Sequence, residues 1–163
     1  MEKIPSFTVN HLALQPGVYV SRKDYVGPAE DVALTTFDLR MTAPNAEPVM
    51  GTAEVHAIEH LGATILRNDP EWGSRVIYFG PMGCRTVFYL ILAGDLAPAD
   101  VMPLLVRTFE AIVAWEGDVP GAQPRDCGNW HDSDLNLAQW WARRYLERTL
   151  RVIDEAHTTY PQA

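Results

Sequence analysis

Residues 75–92, RVIYFGPMGCRTVFYLIL, contain two β-type segments joined by a turn. Residues 75–79 and 86–92 are rich in β-branched and aromatic side chains, and the second run is almost continuously apolar. Glycine and proline mark a turn at residues 80–84 between them. Strands and helices along the chain do not alternate as regular βαβ units. The sequence therefore predicts an α+β fold, in which a mostly antiparallel sheet packs against helices.

A third strand and a first helix are predicted upstream. Residues 37–42 alternate apolar and polar side chains, which is typical of a half-buried strand. A helix is predicted to begin near Thr52, whose hydroxyl can cap it. It should end by Asn68, because Pro70 biases the residue before it away from helical backbone.

Two further helices are predicted from apolar side chains at helical spacing. The first covers residues 101–113 and is halted by Gly117, and the second begins near Ser133 or Asp134. We expect the apolar residues of the first helix to lie on one side of it, and those of the second to form a buried stripe. These residues are Val101, Leu104, Leu105, Phe109, Ile112 and Val113 in the first helix, and Ala138, Trp141, Ala142, Tyr145 and Val152 in the second.

The composition indicates an ordinary globular protein. Of 163 residues, 47% are hydrophobic and 21% are charged, which fits one domain over residues 1–163 with a core of its own. The net charge of -8 and the absence of a Lys/Arg run disfavour nucleic acid as a partner. No stretch approaches the roughly 18 apolar residues of a membrane span, and residues 1–20 lack a signal-peptide pattern. We therefore expect no membrane partner, a cytoplasmic location and reduced cysteines.

Residues 56–60, HAIEH, give the strongest functional signal. On a helix, His60 lies about 40° from His56 and Glu59 about 60° to its other side, so the three share one face. Two imidazoles one turn apart can bind one metal ion, and a neighbouring carboxylate can transfer protons. The pattern is the inverted relative of the HExxH motif. Two surface histidines at helical spacing are the alternative interpretation.

A third metal ligand must come from elsewhere in the chain, and Cys127 is the best candidate. It lies in the loop RDCGN, residues 125–129, where Gly128 allows close approach of the backbone. Two histidines and one thiolate leave a coordination position open, as in catalytic zinc sites. His131 could instead supply a fourth ligand and close the site, which would make it structural.

Cys84 is the second chemically interesting residue. It follows the Pro-Met-Gly turn and opens the apolar strand. Most free cysteines are small buried side chains, and the pattern alone favours that interpretation. The adjacent Arg85 is poor evidence for an activated thiolate, because neighbouring strand residues point to opposite faces.

Taken together, these segments identify a family. The chain resembles the S-ribosylhomocysteine lyase (LuxS) family almost from end to end, in five separate blocks. The blocks are Ser6-Phe7 with His11, FDLR at residues 37–40 with Pro44-Asn45, HAIEHL at residues 56–61, PMGCRT at residues 81–86 with Phe88-Tyr89, and CGN at residues 127–129.

The resemblance implies a homodimer with its active sites at the subunit interface. It implies one divalent metal ion per subunit, held by His56, His60 and Cys127. Fe2+ is expected in the native enzyme and Zn2+ in isolated protein. The implied substrate, S-ribosylhomocysteine, is cleaved to homocysteine and 4,5-dihydroxy-2,3-pentanedione, the precursor of the quorum-sensing signal autoinducer-2. The reaction also belongs to the activated methyl cycle.

The resemblance also implies roles for individual residues. The thioether bond breaks readily only when the sulfur is β to a carbonyl. The ribose carbonyl must therefore migrate from C1 to C2 and then to C3. A Lewis-acidic ion would stabilise the enediolate formed in each migration. Cys84 would act as general acid/base for the carbon protons. Glu59 would exchange protons with the sugar hydroxyls and assist elimination. Ser6, His11 and Arg40 would hold the substrate from the neighbouring subunit.

Three positions depart from the family pattern. Tyr78 and Gly80 stand where Asp and Ser are expected, and Val87 replaces a usual Gly. These departures affect contacts to the ribose or homocysteine moiety and leave the metal and proton-transfer residues unchanged.

Two rival functions are compatible with the histidine motif. In a metallopeptidase, Glu59 would activate a water molecule and a downstream carboxylate such as Glu110 would be the third ligand. In a structural zinc module, His131 would complete a closed site. The peptidase hypothesis gives Cys84 no role.

Overall fold

The computed structural model describes residues 7–161, and its elements follow the predicted α+β order. The strands are β1 (Gly17–Val26), β2 (Val32–Arg40), β3 (Val76–Pro81) and β4 (Val87–Ala93). The α-helices are α1 (Thr52–Arg67), α2 (Pro98–Val113) and α3 (Leu135–Tyr145). A π-helical turn lies at Leu146–Leu150, and 3-10 turns lie at Gly73–Arg75 and Glu155–His157. No helix in the described part of the chain is long and apolar enough to cross a membrane.

The four strands found in residues 7–161 form one antiparallel sheet in the order β1-β2-β4-β3. Successive side chains of a strand point to opposite faces. Phe37 and Leu39 of β2 are fully buried in the core beneath the helices. Asp38 and Arg40 therefore lie on the other face, where they pair with Tyr89 and Val87 of β4. The predicted fold class is confirmed.

Helix α1 lies close to the sheet because of a glycine. A Cβ atom on Gly62 would overlap the ring of Phe79 in β3. Phe79 is itself buried and stacks on Phe88 at a centroid distance of 5.2 Å. The helix that carries the HAIEH motif is thus fixed directly against the core.

The predicted capping of α1 by Thr52 is wrong. Gly51 is the N-cap residue, and its amide donates to the Glu54 carboxylate. The hydroxyl of Thr52 instead donates to Asp132 at 3.1 Å, which ties the helix to the loop before α3. The helix ends at Arg67 and is followed by Asn68, as predicted.

The predicted burial of Val152 is also wrong, because its side chain is 65% exposed. Helix α3 ends at Tyr145, and the π-helical turn that follows has a different periodicity. That turn buries Leu146 and Leu150. The α-helical spacing extrapolated to Val152 therefore does not apply.

Candidate active site

The structure brings together the three residues predicted to bind metal. His56 and His60 lie one turn apart on α1, with their rings perpendicular at a centroid distance of 4.6 Å. Cys127 approaches from the loop before α3, with Sγ 3.4 Å from His56 Nε2. One potential ligand atom from each residue lies within 4.8 Å of the others. This spacing allows all three to reach a single ion.

The backbone fixes the orientation of both imidazoles. His56 Nδ1 lies 2.7 Å from the carbonyl oxygen of Asp132, and His60 Nδ1 lies 2.7 Å from that of Pro120. A carbonyl can only accept, so each Nδ1 carries the proton and each Nε2 presents its lone pair. Such outer hydrogen bonds are typical of metal-binding histidines. Two imidazole nitrogens and a thiol sulfur fit Zn2+ or Fe2+ as a donor set.

Among the residues that the structure describes, the loops around the cluster add no fourth potential ligand to it. Gly121 has a positive φ of 70° and packs beside His60, where a Cβ would lie 3.2 Å from Nδ1. His131 does not join the cluster found among the described residues and packs against the ring of Trp130 at 3.7 Å. Glu110 instead pairs with Arg151 at 2.7 Å. The ligand sets with His131, for a structural zinc site, and with Glu110, for a metallopeptidase, are therefore not assembled.

Glu59 lies on α1 between the two histidines and is half-buried. Within residues 7–161 its carboxylate has no hydrogen bond or ion pair. A carboxylate without a structural partner is free to exchange protons with a ligand.

A separate pocket of about 260 Å³ brings together three other predicted site residues. His11, Arg40 and Cys84 all line it, and Cys84 is exposed. Ser6, the remaining residue predicted to bind substrate, lies outside the described residues. The pocket also contains Asp38, Tyr89 and Tyr160, for which the sequence predicted no role in the site.

Arg40 is held by a buried ion pair and is not a solvated strand residue. Its guanidinium donates to both oxygens of Asp38, and the two residues are only 4% and 1% exposed. The Tyr160 hydroxyl donates to the same carboxylate at 2.8 Å. Burial raises the pKa of Asp38 above its usual value, whereas the Arg40 guanidinium and the hydrogen bonds from Arg40 and Tyr160 oppose that shift. Burial and the Asp38 charge likewise raise the pKa of Tyr160.

The sequence offered a partial signal for these additional residues. Asp38 occupies a polar position of the alternating strand, so its place on the outer face could be inferred. Tyr160 lies in an irregular C-terminal segment and carried no signal. It reaches Asp38 because it stacks on Tyr19 of β1 at a centroid distance of 4.8 Å.

Two of the departures from the family pattern are linked in space. Tyr78 and Gly80 lie two residues apart on β3, and a Cβ atom on Gly80 would overlap the Tyr78 hydroxyl. The tyrosine thus occupies space that a larger residue at position 80 would need. Val87 lines the pocket beside Cys84.

The metal-ligand cluster and the Cys84 pocket are separate within one chain. None of the three candidate metal ligands lines the pocket that contains Cys84. Helix α1 covers the core face of the sheet, whereas Asp38 and Arg40 lie on the opposite face.

The fold and the cluster define a small α+β protein with a candidate metal centre of two histidines and one cysteine. The family profile of S-Ribosylhomocysteinase (LuxS) matches residues 4–156. The chain is 57% identical to an S-ribosylhomocysteine lyase of Clostridium acetobutylicum, over 99% of this chain and 100% of the relative. It is 56% identical to one of Finegoldia magna over the same shares, and 49% identical to one of Porphyromonas gingivalis over 99% of each chain. The chain therefore belongs to the S-ribosylhomocysteinase (LuxS) family.

Proposed function

We propose that this chain is a carbon–sulfur lyase that cleaves S-ribosylhomocysteine to homocysteine and 4,5-dihydroxy-2,3-pentanedione. The observation that carries the proposal is the cluster of His56, His60 and Cys127 in a chain of this family. The product would be the autoinducer-2 precursor. A reducing cytoplasm suits the site, because both cysteines are free thiols.

One divalent ion per subunit is the proposed cofactor, Fe2+ in the native enzyme and Zn2+ in protein isolated in air. His56, His60 and Cys127 would hold it, and the Nδ1 hydrogen bonds to Asp132 and Pro120 keep both Nε2 atoms available. When bound, such an ion supplies Lewis acidity that polarises a sugar carbonyl.

Cys84 and Glu59 are the proposed proton carriers. Carbonyl migration requires removal of a proton from a carbon next to the carbonyl and its return to the neighbouring carbon. A Cys84 thiolate suits this task, since Cys84 is exposed in the pocket that the cationic Arg40 also lines. Glu59 would exchange protons with the sugar hydroxyls and assist the final elimination.

A homodimer would join the two parts of the site. We place the metal-ligand cluster of one subunit against the Cys84 pocket of a second copy, where His11, Arg40 and Ser6 hold the substrate. The separation of cluster and pocket within one chain supports this arrangement. Phe7 and Met82 line the pocket and are exposed apolar side chains that an interface would cover.

Thiol release tests the proposed reaction. The metal-loaded protein is incubated with S-ribosylhomocysteine, and free thiol is titrated with a chromogenic disulfide. We expect one homocysteine per substrate consumed, and a peptide substrate should remain intact. Homocysteine release no faster than in buffer would reject the lyase function.

A further inference from the structure

Thr86 lies between Arg40 and Cys84 on the pocket side of the sheet. It is buried, only 4% exposed, and directly precedes β4. Its Oγ1 atom lies 2.8 Å from Arg40 Nη1 and 3.2 Å from Cys84 Sγ. A single hydroxyl therefore bridges a fixed cation and a thiol.

The chemistry of the partners fixes the direction of the hydrogen bond between Arg40 and Thr86. A guanidinium has donors and no acceptor, so the Thr86 oxygen must accept from Arg40. The hydroxyl keeps its hydrogen and a second lone pair, so it can donate to a Cys84 thiolate or accept from a Cys84 thiol. Among the described residues, Cys84 Sγ is the other side-chain atom within hydrogen-bonding distance of this hydroxyl.

Arg40 cannot readily turn away from Thr86. Two of its nitrogens donate to the carboxylate of Asp38, which is almost completely buried. Tyr160 holds the same carboxylate with its own hydroxyl. The buried ion pair therefore fixes the guanidinium, and the guanidinium in turn orients the hydroxyl of Thr86.

We propose that Thr86 is a positioning residue whose hydroxyl donates to Cys84 Sγ and so favours the thiolate. A hydrogen bond to the charged form of an acid favours ionisation. This role of Thr86 rests on the proposed function, in which the Cys84 thiolate is the base that moves carbon protons. The titratable or charged groups that line the pocket around Cys84 are His11, Asp38, Arg40, Tyr89 and Tyr160.

The test measures the ionisation of Cys84 without any substrate. Full-length, metal-loaded protein is alkylated with iodoacetamide between pH 5 and 10, and modification of the Cys84 peptide is followed by mass spectrometry, separately from Cys127. Thr86→Val removes the hydroxyl at nearly constant shape, and Thr86→Ser retains it. Thr86→Ala is prepared in parallel, in case valine disturbs folding as judged by circular dichroism.

We expect the alkylation midpoint of Cys84 to rise by about one pH unit in the folded hydroxyl-free variant, and to stay near wild type in Thr86→Ser. With substrate, kcat should fall in the hydroxyl-free variant and recover in Thr86→Ser, with little change in KM. An unchanged midpoint without the hydroxyl, or an equal rise in Thr86→Ser, would overturn the proposal. A wild-type protein that releases no homocysteine would reject the lyase function, yet the alkylation result would still decide the role of Thr86.

Discussion

The Nδ1 atom of His60 lies 2.7 Å from the carbonyl oxygen of Pro120. This contact joins helix α1 to the loop between α2 and α3, which contains Cys127. The carbonyl of Asp132 holds His56 in the same way from the far side of that loop. Two segments distant in sequence, helix α1 and this loop, thus meet at the cluster. The imidazole nitrogens that face Cys127 are oriented by backbone hydrogen bonds of the protein itself.

The first prediction separates metal binding from proton transfer. Cys127→Ala should lose most bound metal and all turnover, because two histidines alone hold an ion weakly. Cys84→Ala should keep one equivalent of metal and lose turnover. Metal content is measured by inductively coupled plasma mass spectrometry on protein purified in parallel. Loss of metal from Cys84→Ala would show that its role is misassigned.

The second prediction concerns the buried ion pair. Asp38→Ala should lower the free energy of unfolding by about 3–5 kcal/mol, because it leaves the Arg40 charge buried without its partner. Tyr160→Phe removes one hydrogen bond to the same carboxylate and should cost about 1–3 kcal/mol. Urea unfolding measures both changes. A loss below about 1 kcal/mol for Asp38→Ala would contradict the structural importance of the pair.

The third prediction tests the close packing of α1 on the sheet. Gly62→Ala should destabilise the protein by about 1–3 kcal/mol, although alanine favours helices, because its methyl group overlaps the buried Phe79. Thr64→Ala on the same helix is the matched control and should change stability by less than about 0.5 kcal/mol. Thermal unfolding of the two variants gives the comparison; stabilisation by Gly62→Ala would refute the packing argument.

The fourth prediction is a dependence of stability on pH. The hydrogen bond from Arg107 lowers the pKa of Asp69 from 3.8 to about 2. The folded state therefore favours the carboxylate, and this stabilisation is fully present above the unfolded pKa and is lost as pH falls through about 2.

Asp69→Asn is the matched variant, because its amide oxygen can still accept from the amide of Trp72, as Asp69 does. At pH 7 the variant should be less stable by about 1 kcal/mol, and the difference should shrink as the pH approaches 2. Urea titrations at pH 7, 4 and 2.5 measure the difference. A difference in the free energy of unfolding that stays constant over that pH range would exclude the ion pair as its cause.

The sequence predicted those parts of the fold in which periodicity and burial agree. Helix α1 has its apolar side on the core, and its histidines lie on the face that meets the Cys127 loop. Strand β1 was missed, because a register shift between Val20 and Arg22 and several exposed polar side chains obscure its alternation. Periodicity is a reliable guide only where one face of an element is buried along its whole length.

The polar side of the candidate site was harder to predict. Asp38 and Arg40 occupy the outer face of β2, which in an isolated strand pattern indicates solvent. Both are nevertheless buried, and Asp38 accepts a hydrogen bond from Tyr160, which is more than 100 positions away in the sequence and lies in an irregular segment. The hydroxyl bridge of Thr86 likewise depends on the side-chain positions of Arg40 and Cys84, which no local pattern encodes.

The proposed metal centre is best tested by a metal-edge anomalous difference map from crystals of anaerobically purified protein. We expect one peak per subunit, coordinated by His56, His60 and Cys127 and by no fourth side chain. The absence of a peak, or an ion enclosed by four protein ligands, would contradict it.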